Sequence, residues 1–197
     1  MNKYTKKNDK TEKRIMDTIL TLMQSYEFNN ITMNQIADNA GLNRVTLYRH
    51  FDDKWDILER IESDFFQAAE APHREMIEQL KKSSEDYQDA RSVLAGFLEI
   101  FEENLDILEV LMNDNGDSRF TNKLLNFLLK REKLSHPVLG INNLGVNQEI
   151  LSYYEISGLV GIIKFWTNHR QYKAKDMANF FFAVRTNEVE GVKRLEF

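Results

Sequence analysis

TMNQIADNAGLNRVTLYRHFDDKWDIL, residues 32–58, decides the fold, because it parses residue by residue as two short helices around one tight turn. Thr32 offers a side-chain oxygen to the free backbone N–H groups of a helix over residues 33–39. Ile36 and Ala40 share one face of that helix, four residues apart. Ala37 is small where a second helix must cross close by, and Gly41 suits a turn needing positive φ, which a Cβ resists. Asn43 is a natural cap for the next helix. In that helix Leu47 points back to the core, while Arg44, Val45, Thr46, Tyr48 and Arg49 take the outer face or the leading end, the places from which such groups reach phosphates and base edges. Phe51 closes the unit. Asp52 or Asp53 can then cap a third helix that opens with Lys54 and continues through Trp55, Ile57, Leu58 and Ile61. Two short helices set this way are the layout that seats a helix in the major groove of DNA.

Upstream, Ile15, Ile19, Leu22, Met23 and Tyr26 recur at three- and four-residue spacing from about residue 10, the pattern of an amphipathic support helix. Phe28 and Ile31 carry its apolar contact through the short connection at residues 27–30, where two asparagines favour a turn. Three helices over residues 10–51 make a core that is marginal alone and leans on the chain beyond Phe51.

The order T-x3-I-A-x2-A-G-x5-L-Y-x-H-F-x2-K-x3-L is complete here, and with it the stretch resembles the TetR family of bacterial transcription regulators. The resemblance implies an all-α fold: a three-helix helix-turn-helix DNA-binding domain, residues 1–52, followed by a larger helical effector and dimerisation domain, residues 53–197, with 53–70 as the connecting helix. Taken residue by residue, Tyr48 matches the family tyrosine that meets a phosphate, His50 a histidine near the DNA backbone, and Lys54 the phosphate lysine opening the next helix. Thr32 matches a capping residue beside a phosphate. Base reading falls to Asn43, Arg44, Val45 and Thr46, with Arg44 suited to guanine and Val45 or Thr46 to a thymine methyl. Arg49 can serve either role. For His50 a packing role beside Phe51 stands as the alternative.

Net charge is −5, which at first argues against a polyanionic partner, but the sum hides an asymmetry. Residues 1–14 carry net +4, residues 1–60 net +1 and residues 61–197 net −6, and residues 42–51 hold Arg44, Arg49 and His50 with no carboxylate. The surface expected to face DNA is therefore locally positive. At 197 residues and 42% hydrophobic content the chain can bury a sizeable core. It has no cysteine, hence no disulfide, thiolate nucleophile or Cys-bound metal. No apolar run approaches the roughly 20 residues of a membrane helix, and the basic start MNKYTKKNDK lacks the apolar stretch of a signal peptide. The expectation is a cytoplasmic protein without membrane contact.

Past Ile61 the sequence reads as helix after helix. The connecting helix is expected to end or bend at Ala71-Pro72, with further helices near 87–102, 105–113, 119–134, 148–169 and 176–189. Asp117 can cap after NDNG, and Pro137, Gly140 and Gly145 mark the longest loop. Residues 148–169 are apolar nearly all round, so this helix should be buried on most sides. Gly158 and Gly161 cost it roughly 1 kcal/mol each in helix propensity, which suggests close approach of another backbone. In the TetR family the last two long helices pair with their mates across a two-fold axis. The resemblance thus implies a homodimer with Gly158, Gly161, Phe165 and Phe181 at the interface; the alternative is that the glycines let helices of one chain pack closely. NDNGDSRF, residues 113–120, and YYEISGLVGIIKFW, residues 153–166, resemble the C-terminal region of a Gram-positive branch that includes regulators of dihydroxyacetone utilisation.

Catalysis has little support. His50, His73, His136 and His169 are scattered, there is no HExxH, phosphate loop or nucleophile elbow, and pairs such as Glu85-Asp86 and Glu102-Glu103 read as solvated helix ends. No catalytic residue, metal or cofactor is expected. The expected protein is a homodimeric repressor of a palindromic double-stranded operator, released by a small-molecule or protein effector. The alternative is an activator or co-regulator acting through a protein partner.

Overall fold

The computed structural model describes residues 3–82, 87–117, 119–135 and 146–192, and among them every regular element is helical. Pro137, Gly140 and Gly145 lie outside the described residues, as do Glu85, Asp86 and His136. By contacts the chain gathers into two units, the first made of residues 1–65 with 110–120, the second of 66–109 with 121–197.

The first unit begins with α1, Lys3–Met23, which starts several residues ahead of the predicted support helix. A single 3-10 turn, Phe28–Asn30, then leads to α2, Met33–Asn39, and α3, Arg44–His50. Ile15, Ile19 and Met23 of α1 meet a core with Phe28, Ile31, Ile36 and Leu47, every one of them at most 2% exposed. These are the positions that the periodicity marks as inward-facing. Ile57 and Leu58 of α4, Lys54–Lys82, are buried in the same unit.

Local chemistry fixes each helix end. Thr32 Oγ1 accepts from the Gln35 amide at 3.3 Å while Gln35 Oε1 accepts from the Thr32 amide at 2.8 Å, a reciprocal capping box that satisfies two free donors. At the other end of α2 the Gly41 amide donates to the Asp38 carbonyl and the Leu42 amide to the Ala37 carbonyl, with Gly41 at φ +61°. That pair of bonds is the Schellman ending, which requires a left-handed residue. Asn43 Oδ1 takes the Thr46 amide at 2.7 Å and starts α3. Of the two candidate caps for α4, Asp53 is the one used, accepting from the amides of Trp55 and Asp56 at 2.7 and 2.9 Å.

The second unit holds the rest of α4, then α5, Tyr87–Glu103, the start of α6, Leu105–Met112, and α7, Phe120–Ser135, α8, Val146–Thr167, and α9, Ala174–Val192. The expected break at Ala71-Pro72 does not occur: α4 runs through Pro72 to Lys82. A proline inside a helix removes one hydrogen bond and costs roughly 3 kcal/mol. Here the apolar pattern continues beyond it, with His73 and Leu80 buried, and Met76 and Ile77 packed on a cluster formed by Leu80 and Phe182. That burial offsets the lost bond. α5 and α9 pack along one another, and Glu102 of α5 accepts from the Ala174 amide at 2.8 Å and from Lys173 Nζ at 2.9 Å, capping the start of α9. Those two hydrogen bonds hold the Glu102 carboxyl below its usual range, overcoming the opposite push of burial, the largest single influence on it. Arg170 ties this corner to Asp106 and Glu109 of α6. Among the described residues no helix is long and apolar enough to cross a membrane.

Candidate nucleic-acid interface

α3 is anchored by one side chain and open elsewhere. Leu47 is fully buried, while Asn43, Arg44, Val45, Tyr48 and Arg49 are exposed and Thr46 is half-buried. Val45 at 70% and Tyr48 at 52% exposure leave apolar surface open to water. Neither Arg44 nor Arg49 forms an ion pair within the described residues, so both guanidinium groups keep their full donor sets for a ligand. Asn43 spends its side-chain oxygen on the helix cap, which leaves its amide N–H groups facing outward.

Two residues expected at this surface are engaged inside the unit. The His50 side chain is only 8% exposed, and its Nδ1 stands 3.3 Å from Glu12 Oε1, so it braces α3 against α1. This contact is of the kind the packing role of His50 involves. Lys54 departs further from expectation. Its ammonium donates to the carbonyls of Phe28, Asn29 and Ile31 at 2.9, 2.7 and 2.9 Å. All three of its donors are used, and the group pins the turn before α2 instead of reaching outward. Thr32, at the exposed mouth of that turn, keeps its capping role and its surface position.

The expected dimer residues divide as well. Gly158 and Gly161 are exposed on α8, and a Cβ built on either would meet no atom within 4 Å. No atom of the described residues packs closely against either glycine. Phe165 is 47% exposed, its ring stacked on His169 at 3.8 Å. Phe181, by contrast, is buried within the chain, and Phe180 and Val184 occupy the open face of α9 instead. Three consecutive phenylalanines leave the phase of this helix ambiguous in sequence. α8 is not buried on most sides either: Leu151, Ile156, Leu159, Ile163 and Trp166 face inward, whereas Ile150, Tyr153 and Tyr154 are half or more exposed. Sequence reasoning misses those three, although residues 150, 154, 158, 161 and 165 recur at the helical spacing that joins them to the glycines.

A separate cleft of about 360 Å³ opens in the second unit, lined by Met76 of α4 and Val93, Phe97 and Ile100 of α5 with Glu75, Glu99 and Glu103 at its edge. Its volume suits a small ligand. Among the described residues no three His, Cys, Asp or Glu side chains gather as a metal site would need.

Residues 15–61 match the family described as bacterial regulatory proteins, tetR family. The chain is 22% identical over 166 residues to an uncharacterized HTH-type transcriptional regulator, YxbF, of Bacillus subtilis; the match covers 81% of this chain but 40% of the length of that relative. Among solved structures, a TetR transcriptional regulator from Streptococcus agalactiae superposes with a TM-score of 0.62 at 20% identity, over 92% of this chain and 97% of that one. The dihydroxyacetone kinase operon activator DhaS superposes with a TM-score of 0.53 at 16% identity, over 91% and 96%. These structural likenesses are likenesses of fold. The complete motif, the geometry of α2 and α3 and the family match coincide on the same residues, so residues 15–61 form a head similar to that of the TetR family of bacterial regulatory proteins.

Proposed function

We propose that the protein works as a homodimeric, sequence-specific repressor whose two heads occupy successive major grooves of a palindromic operator and are released when an effector, small molecule or protein, acts on the second unit. The observation that carries this reading is α3 itself: a helix seated on one buried leucine, with Asn43, Arg44, Val45, Tyr48 and Arg49 left to solvent, Thr46 half-buried, and no carboxylate among them. Arg44 pairs with a guanine edge, Val45 or Thr46 meets a thymine methyl, Tyr48 and Thr32 meet phosphates, and Arg49 adds charge to either set. His50 and Lys54 enter as residues that hold α3 and the turn in place.

Support for the dimer comes from α8 and α9, where a Cβ on two helix-interior glycines would meet no atom of the described residues and Tyr154, Phe165 and Phe180 are exposed. A second copy of the same face lets backbones approach at the glycines and covers the aromatic rings. Release then works by population shift: an effector that favours one dimer conformation tilts α4 and respaces the heads. Half-sites lie about 34–36 Å apart, so a modest tilt takes one head off its groove.

Selection of duplexes from a random pool by the full-length protein tests the reading. An enriched palindrome is expected, with log affinity falling against log salt at a slope of about −5 to −7 for six to eight neutralised phosphates per dimer. A protein that enriches no sequence, and holds no duplex even at low salt, is a co-regulator rather than a DNA reader.

A further inference from the structure

We propose that residues 113–117, together with Arg119, are a working part of the DNA-reading head, with Asn115 and Arg119 as positioning residues that hold the turn from which α2 starts. The proposal rests on the reading of the head as a DNA binder and extends it to residues that lie outside the helix-turn-helix. Contacts gather residues 110–120 with residues 1–65.

The attachment is made at two points, and an aromatic contact between Phe28 and Trp55 joins them. The Phe28 amide donates to the Asn115 carbonyl at 2.9 Å. The Phe28 ring meets Trp55 edge to face, with centroids 4.5 Å apart. The Arg119 guanidinium lies 4.3 Å from the centroid of Trp55, a cation over an aromatic face. That guanidinium is aimed, since its Nε–H donates to both carboxylate oxygens of Asp117 at 3.0 and 3.1 Å, and the Asp117 side chain is only 4% exposed. Asp117 also accepts from the Arg119 amide at 3.0 Å.

The loop can make these contacts because it folds tightly back on the end of α6. A Cβ at Gly116 would lie 2.6 Å from the Leu111 carbonyl oxygen and 2.7 Å from that of Val110, so only glycine fits there. The turn at Phe28–Asn30 is thus held twice, by Lys54 on its carbonyls and by Asn115 on its first amide. Lys54 and Trp55 are adjacent in sequence, so the two grips share one strut. The turn ends at Ile31, and Thr32, the next residue, caps α2. Moving the turn therefore moves the start of α2, and α3 with it. Arg119 acts on DNA binding through this chain of contacts and touches no phosphate.

The test uses the duplex that the wild-type protein selects, so a failed selection overturns the DNA-binding reading and not this inference. Arg119→Ala is expected to bind that duplex five- to twentyfold more weakly, with the salt slope unchanged and with faster amide exchange at residues 28–31 but not in the middle of α1. The Arg119 side chain is 59% exposed, so the variant should fold. Arg119→Lys, which keeps a cation over Trp55, should recover most of the loss, and Arg119→Ala should cost nothing more in a Trp55→Ala background. Affinity within twofold of wild type, a slope reduced by about one per chain, or losses that simply add in the double variant would each overturn the proposal.

Discussion

The Lys54 ammonium stands 2.9 Å from the carbonyl oxygen of Phe28, and 5.0 Å from the centroid of the same residue's ring. With Asn29 and Ile31 supplying two further carbonyls, the charge closes a turn whose three acceptors point at one spot. Burial pulls the Lys54 pKa below its ordinary value, and the nearby Asp53 carboxylate pulls the other way. An ammonium, with three donors and no acceptor, satisfies three converging carbonyls at once.

Replacing Lys54 by Met should therefore lower stability by about 1–3 kcal/mol, the scale of hydrogen bonds to a charged group, as read by urea unfolding. DNA affinity should fall alike for all sequences while the salt slope stays that of the wild type. A phosphate-contacting lysine would instead reduce the slope by about one per chain. Arg44→Ala provides the contrast: about 1–3 kcal/mol lost on the selected duplex and relaxed choice at one base pair.

Gly41 carries the turn between α2 and α3 at φ +61°, and a Cβ there would touch nothing. The cost of Gly41→Ala is thus conformational rather than steric, about 1–2 kcal/mol. Gly41→Asn should cost less, because asparagine tolerates the left-handed region. Thermal melting of the two variants side by side checks the order; an equal loss in both would mean the strain argument is wrong.

How much of this is legible in the sequence depends on where the constraints are local. The ends of α2 and α3 are readable because Thr32, Gly41 and Asn43 act on their own neighbours. The buried set Ile15, Ile19, Ile36 and Leu47 is readable from helical spacing. The features that escape depend on distant residues. Lys54 reaches carbonyls more than twenty residues back, His50 meets Glu12, and α4 survives Pro72 because Leu80 finds Phe182. The phase of α9 is hidden by the run Phe180, Phe181 and Phe182, which is apolar whichever face turns inward.

Gly158→Leu with Gly161→Leu tests the proposed dimer face. A Cβ at either site meets no atom of the described residues within 4 Å, and helix propensity improves by roughly 1 kcal/mol per site, so the fold should persist. Across a two-fold interface they would hold two backbones apart. Light scattering on a size-exclusion column should show the wild type as a dimer and the variant as a folded monomer. A variant that remains dimeric places the interface elsewhere.

His73 sets a pH limit on the second unit. Its ring is 5% exposed, packed edge-on against Phe97 at 5.6 Å, and its Nε2 has no hydrogen-bond partner among the described residues. Burial, and then the Arg131 charge, lower its pKa from the ordinary 6.5, against smaller opposing pulls from a backbone hydrogen bond at Arg131 and from Glu70. Between the lowered folded pKa and 6.5 the unfolded chain binds the extra proton, so stability rises with pH through that window and is lost as pH falls below about 6.5. Melting between about pH 7.5 and 5.5 should show this acid-side loss, and His73→Phe, which keeps an aromatic edge against Phe97 but cannot charge, should flatten it. Parallel curves for the two proteins would mean that the folded state already accommodates the protonated ring and that burial does not exclude its charge.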